Sequence, residues 1–358
     1  MRRSFAVAAV GFIGAMAALA TPAQAQSPTT LRVGWCTKVV SSAAAPHAIA
    51  IKMGWYEQGG VKVEMLPTGG GSECVKLVAT GDYQMALSAL EPVAIMRQQD
   101  VKMRVFYTAY QVFAFRLAVL PDSPVKTIAD LRGKKIGVNS MGSSGVFVAR
   151  ALVAELGMDP DKDVSIVVAG EGAQAAAMIR GKQVDAYTSF DTQFALAEAA
   201  GVNLRMLPSP SIEKLVGGGI YATEASIAGR RKELIALGQG FAKGTVFALA
   251  NPEAAVRLTW EVWPQTKPTG KDEATALADE IKVLNSRASS WRIESVGAKR
   301  YGEGIEANYE LLNAWLLQQK LLKGPVPGKE MFTNELIDEI NKFDVAEVQK
   351  QAREWKGK

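Results

Sequence analysis

A chain of 358 residues with 48% apolar and 22% charged side chains has an ordinary globular composition and is long enough to build two hydrophobic cores. Its formal charge of +5 falls to +3 without Arg2 and Arg3 (39 basic against 36 acidic residues), too mild a surplus for nucleic-acid binding, and no basic run is interleaved with aromatics. One histidine and two cysteines at no ligand spacing are too few soft donors for a metal site, so neither a metal nor another cofactor is expected.

Arg2-Arg3, an uncharged run from Ser4 to Ala20 and Thr21-Pro22-Ala23-Gln24-Ala25 form the basic region, apolar region and A-x-A site of a secretory signal. Residues 1–25 are therefore read as a signal peptide cleaved near Ala25. The run falls short of the roughly 20 residues that span a bilayer and ends in small residues and proline, which argues against an anchor. Arg2-Arg3-Ser4-Phe5 suits the twin-arginine route, and two arginines equally suit the general secretory route. No cysteine follows the cleavage site, so no lipid anchor is expected.

Leu31 to Trp35 reads as a strand, Cys36 to Pro46 as a serine- and alanine-rich loop carrying Lys38, and His47 to Lys52 as a helix ending before Gly54. Gly59-Gly60 turns the chain into a second strand, Val61 to Leu66, whose alternation suits a half-buried position. Pro67-Thr68-Gly69-Gly70-Gly71-Ser72 then enters a helix with Val75, Leu77 and Val78 on its apolar face, stopped by Thr80-Gly81-Asp82. Met85 to Ser88 is a third strand, Val101 to Tyr110 a fourth, and Phe113 to Leu120 an apolar strand read as the first link between two lobes.

Past the abrupt turn Pro121 to Pro124, the stretch from Asp130 to Gly157 carries a strand at Ile136 to Val138, a small-residue turn at Asn139 to Gly145, and a helix with Phe147, Val148, Ala151, Leu152 and Leu156 at apolar spacing. Such a turn points free N–H groups and serine hydroxyls into one concavity, and the helix dipole adds partial positive charge there. The plainer alternative is that Ser143 or Ser144 only caps the helix. A strand at Val164 to Val168, the turn Ala169-Gly170-Glu171-Gly172, a helix at Ala173 to Arg180 and a strand at Asp185 to Thr188 repeat the pattern. Gly217-Gly218-Gly219 with Ile220 to Ala222 reads as the return crossing. From Ala225 onward the periodicity is almost wholly helical, and Lys350 to Lys358 read as a frayed, charged helix end.

Strands alternating with helices imply an α/β fold of parallel-rich sheets with helices on both faces, and in such sheets ligands bind beyond the carboxyl ends of the strands. Three glycine- and serine-rich turns on one side of their sheets weigh towards a binding cleft rather than capping alone. Cys36 and Cys74 both follow strands in turns expected to face that cleft, and in an oxidising compartment they are expected to form a disulfide, with two buried thiols as the alternative. His47 is expected to be a satisfied structural histidine and Met141 to pack.

Four segments resemble a known family. They are Ala48 to Val61 (AIAIKMGWYEQGGV), Gly69-Gly70-Gly71-Ser72 with Ala79 to Asp82, Asp122-Ser123-Pro124 with Asp130 to Val138 (DLRGKKIGV), and Phe332 to Ile337 with Ile340-Asn341. They are similar to the solute-binding proteins of ABC importers of the sulfonate, taurine and nitrate type, which share a family with the thiamine-pyrimidine precursor proteins.

The resemblance implies a two-lobed periplasmic-binding-protein fold (type II-like), with lobe 1 at residues 31–118 plus 220–345, lobe 2 at 119–216 and a charged tail at 346–358. It also implies a monomer in the periplasm, no catalysis, capture of a small polar organic solute (sulfonate, carboxylate or heterocycle) by lobe closure, and delivery to an inner-membrane ABC permease. Carried over by position, contacts come from Trp35 to Lys38, from Gly71, Ser72 and Ser88, and across the cleft from Ser140, Ser143, Ser144, Glu171 and Thr188 to Asp191. Glu171 and Asp191 favour an amine-bearing solute, Lys38 an anionic one, and Trp35 and Phe190 suit an apolar wall. A pyrimidine-precursor synthase using His47 and Lys38, or a solute-sensing receptor subunit, are the alternatives; the synthase's cysteine-rich iron motif is missing here.

Overall fold

The computed structural model describes residues 27–357, so the signal-peptide reading lies outside the described residues. Two five-stranded sheets organise the chain. The first contains β1 (Thr29–Trp35), β2 (Val61–Pro67), β3 (Met85–Ala89) and β4 (Met103–Tyr110); the second contains β5 (Phe115–Val119), β6 (Lys135–Val138), β7 (Ser165–Val168), β8 (Ala186–Phe190) and β9 (Arg205–Met206); and β10 (Gly218–Thr223) returns to the first.

Strand orders are β2-β1-β3-β10-β4 and β7-β6-β8-β5-β9. In each sheet the three strands followed by crossover helices run parallel, and the strands that enter or leave the sheet, β10 and β5, run antiparallel to their neighbours. Crossovers between parallel strands leave all their carboxyl ends on one edge of each sheet. Alternation dictates the register: in β2, Val61 and Val63 are buried while Lys62 and Glu64 are exposed.

Because β5 pairs with β8 and β9, the chain crosses between sheets at residues 111–114, ahead of the 118/119 boundary read from the sequence. An apolar run carries no mark of which sheet it joins. The return crossing lies against the outgoing one: Gly217 N donates to Tyr110 O at 3.0 Å, and a Cβ at Gly217 would fall 2.1 Å from Val112 O. Only glycine allows the two hinge segments this contact.

The C-terminal helices pack on the first sheet, and two of them also reach the second lobe. Arg287 of the helix Glu273–Trp291 pairs with Asp191, and Trp315 of the helix Glu306–Gln318 donates from Nε1 to Glu155 Oε1 at 2.9 Å. Lys350 to Glu354, expected to fray, instead complete the helix Val345–Glu354, whose Val348 and Ala352 are buried, with Asn251 Nδ2 donating to Ala352 O at 2.8 Å. Two apolar expectations fail: Leu156 lies beyond the helix end at Ala154 and is exposed, and so is Met141 at the rim of the cleft.

Cys36 and Cys74 form a disulfide with Cα atoms 5.8 Å apart, tying the loop after β1 to the helix Gly71–Thr80. Cys74 sits inside that helix, fully buried, rather than in the turn before it. A cross-link spanning 38 residues removes enough loop entropy to stabilise by about 2 to 4 kcal/mol. The double variant Cys36→Ala, Cys74→Ala is expected to lose that much in urea unfolding, and a loss below about 1 kcal/mol would show the link to be energetically idle.

His47 is fully buried, with Nδ1 2.7 Å from the Tyr56 hydroxyl and its ring edge-on to Phe241, but it is only half satisfied, since Nε2 is buried without a partner among the described residues. Burial lowers its pKa to about 3, below the unfolded value of 6.5. The folded state therefore binds fewer protons, and the stability this contributes is present above pH 6.5 and lost as pH falls towards 3. Unfolding free energies from about pH 7 down to 4 are expected to show an acid loss on the order of several kcal/mol that is absent in His47→Phe. Equal slopes in the two proteins would refute the assignment.

Candidate functional site

The edges carrying the parallel strand ends of both sheets face each other across one cleft. The helices Gly71–Thr80, Ser144–Ala154, Gly172–Arg180 and Asp191–Ala199 follow β2, β6, β7 and β8, and their N-cap residues Gly70, Ser143, Glu171 and Phe190 all line one cavity of about 70 Å³. Four helix N-termini converging on one volume give it a positive partial charge.

The lobes meet around this cavity through specific bonds. Glu171 reaches across to the loop after β1, where its carboxylate accepts from the Thr37 hydroxyl, from Lys38 N at 3.3 Å and from Val39 N at 2.9 Å. Ser72 N donates to Gly142 O at 3.1 Å, and the Ser140 hydroxyl donates to Gly69 O. Gly70 has φ +147°, and a Cβ there would lie 2.6 Å from Gly142 O, so a side chain at this point would hold the lobes apart. Asp191 pairs with Arg287 at 2.5 Å and also accepts from Thr192 N; burial pushes its carboxyl up while the guanidinium pulls it down.

Of the sequence-predicted site residues, Trp35, Gly71, Ser88, Ser143, Ser144 and Glu171 line the cavity. Lys38 and Ser140 instead border a separate depression at the rim, Asp191 is engaged by Arg287, and Ser72 contributes its backbone N–H to the lobe contact. Neither acid expected to attract an amine is free: Glu171 is a latch and Asp191 an ion-pair partner.

Sequence reasoning passed over Arg287 altogether and gave Asn139 no role beyond its turn. Arg287 is buried, and its guanidinium lies 4.1 Å from the Tyr110 ring centroid and 5.6 Å from that of Phe190. A signal for it existed, because it falls on the apolar stripe of its helix with Val283, Leu284, Ala288 and Trp291, where a charge requires a partner. Asn139 accepts from the Ser189 hydroxyl at 2.7 Å through Oδ1, leaving Nδ2 buried and unpartnered. Ser143 Oγ and Arg287 Nε are likewise buried without partners. Three lining residues with an unmet hydrogen-bonding group, beside Trp35, Tyr110, Phe115 and Phe190, suit a solute with an acceptor-rich head and an apolar flank. Among the described residues no cluster of three or more His, Cys, Asp and Glu is placed to hold a metal ion.

A family model described as NMT1/THI5 like matches residues 41–255. The riboflavin-binding protein RibY of Chloroflexus aurantiacus is 24% identical over 329 residues, covering 90% of this chain and 91% of that protein. Among solved structures, the alkanesulfonate-binding protein SsuA from Xanthomonas axonopodis pv. citri, bound to MOPS, superposes with a TM-score of 0.63 at 16% identity, over 86% of this chain and 99% of that one. The desulfurization enzyme DSZB has the same architecture (TM-score 0.54, 17% identity, 87% of this chain and 98% of that one), so the fold alone does not separate binding from catalysis.

Ser143 separates capping from solute contact. It is the N-cap of its helix, yet its hydroxyl makes no capping bond. Ser143→Ala is therefore expected to lower the unfolding free energy measured in urea by less than the roughly 0.5 to 2 kcal/mol typical of a lost cap. A larger loss would return this serine to a capping role.

Proposed function

Since this chain belongs to the NMT1/THI5-like family, we propose that it is the solute-capturing subunit of an ABC importer: exported to the periplasm, closing two lobes on a small polar solute, and presenting it to an inner-membrane permease without catalysing a reaction. The observation that carries this reading is the convergence of four crossover helices, from both sheets, on one cavity lined by polar groups that the protein leaves unpaired. Among the described residues no helix is long and apolar enough to cross a membrane.

The cavity supports a small solute. At about 10 to 15 Å³ per water, 70 Å³ corresponds to about five to seven water positions, so a flavin-sized molecule requires the lobes to part. Arg287 and the helix N-termini favour an anionic or acceptor-rich head, since Glu171 and Asp191 are engaged within the protein. The synthase alternative loses its histidine: His47 is locked in the first-lobe core by Tyr56 and Phe241, while Lys38 lies at the rim.

A thermal-shift panel of sulfonates, carboxylates, nitrate, amino acids, amines, pyrimidines and riboflavin tests this. A ligand at about 100 times its dissociation constant adds roughly 2.7 kcal/mol, and in a chain of this size each kcal/mol shifts the melt by about 1 to 2 °C. A small anionic or acceptor-rich compound is expected to raise the melt, and Arg287→Gln to weaken that rise. No shift from any class would defeat the capture reading, and turnover of any compound would replace it with catalysis.

A further inference from the structure

One cleft carboxylate has no role in solute capture as described so far. Glu91 opens the helix Glu91–Arg97 just after β3 and is fully buried. Its Oε2 accepts from the Ser144 hydroxyl of the opposite lobe at 3.0 Å, and its Oε1 is buried with no partner. The bond lies beside the cavity wall: a Cβ at Gly71 would be 3.1 Å from Pro92, 3.6 Å from Ser88 Oγ and 3.8 Å from Ser144 Oγ.

Among the described residues no cation compensates this carboxylate. On the neighbouring helix Gly71–Thr80, Glu73 and Lys76 are exposed. Arg97, at the far end of Glu91's own helix, pairs with Glu224 and Glu330, and Arg104 of β4 pairs with the same Glu224. Arg150 of the helix Ser144–Ala154 pairs with Asp161. One hydroxyl and a helix N-terminus offset only part of the cost of burying an ionised carboxylate. Burial accordingly pushes the carboxyl from 4.5 up to about 7, with the helix backbone and Ser144 pulling it back. Parting the lobes withdraws Ser144 and admits water, which returns Glu91 to ordinary carboxylate behaviour.

We propose that closing the lobes takes up one proton at Glu91, so that the closed, solute-holding state is favoured in acid and weakened as the surroundings become alkaline. This regulation of the cleft rests on the capture reading above. The sign follows from linkage: the closed state binds more protons, so its advantage is full below pH 4.5, declines as pH rises towards about 7, and is level beyond.

The test is a cysteine trap across the cleft. A Cβ built at Gly142 lies 3.9 Å from Ser72 Cβ, within the range of about 3.5 to 4.5 Å that a disulfide requires. The double variant Ser72→Cys, Gly142→Cys, with the native pair retained, reports closure as a cross-linking rate. Measuring it with and without Glu91→Gln in the same buffers cancels the pH dependence of thiol chemistry.

The rate ratio, glutamine over glutamate, is expected to be only a few-fold at about pH 5 and to exceed about a hundredfold at about pH 7.5. Ser144→Ala, which removes the hydroxyl favouring the charged form, should slow trapping further at the higher pH only. A ratio independent of pH overturns proton uptake and leaves solute capture standing. Absence of trapping at every pH in both proteins removes the closed state on which both rest.

Discussion

The structure depends on one constraint: wherever the two sheet edges meet, polar groups leave water and must find partners on the opposite lobe. Glu171 meets the constraint by receiving Thr37, Lys38 N and Val39 N, and Gly69, Ser72, Ser140 and Gly142 meet it by exchanging backbone and hydroxyl bonds. A buried polar group left unpaired costs about 1 to 3 kcal/mol, so a closed cleft is stable only with these bonds in place. Gly70 is part of the same solution, because its missing side chain lets the bonds form at contact distance.

Against that background the exceptions carry meaning. Asn139 Nδ2, Ser143 Oγ and Arg287 Nε remain unpaired at the cavity, while Glu171 and Asp191 are engaged. The protein thus finishes its own hydrogen bonding around the rim and leaves donor capacity at the centre. The aromatic walls supply apolar surface, and Arg287 is held over the Tyr110 ring of its own lobe and against Asp191 of the other. Asp191 comes from the second lobe and Arg287 from a helix packed on the first, which makes this ion pair a closing contact as well as a pocket wall.

Glu91 is the counterpart of these donors on the cost side. It is a carboxylate closed in without a cation, and the protein tolerates it through a hydroxyl that only the opposite lobe provides. Binding, closure and protonation therefore share one interface, which comprises the starts of a few crossover helices and little of either hydrophobic core.

Much of this was legible from residues in order. Alternating strands and helices predicted an α/β fold, and chain length with the family resemblance predicted two lobes; Gly-Ser turns at strand ends predicted where helices begin; and the disulfide was the expectation for two cysteines placed after strands in a chain read as exported. Six of ten site residues lie on the cavity because strand-turn-helix chemistry is local and its direction follows from parallel topology. The rest was decided by tertiary structure. Which sheet an apolar strand joins, at Phe115 to Val119, depends on partners such as β8, some 70 residues away in the chain. That Glu171 and Asp191 are bonded rather than free depends on a loop 132 residues earlier and a helix 96 residues later. Sequence states which groups carry charge and where turns fall; whether a charge is spent inside the protein or left for a solute is a property of what folding brings beside it.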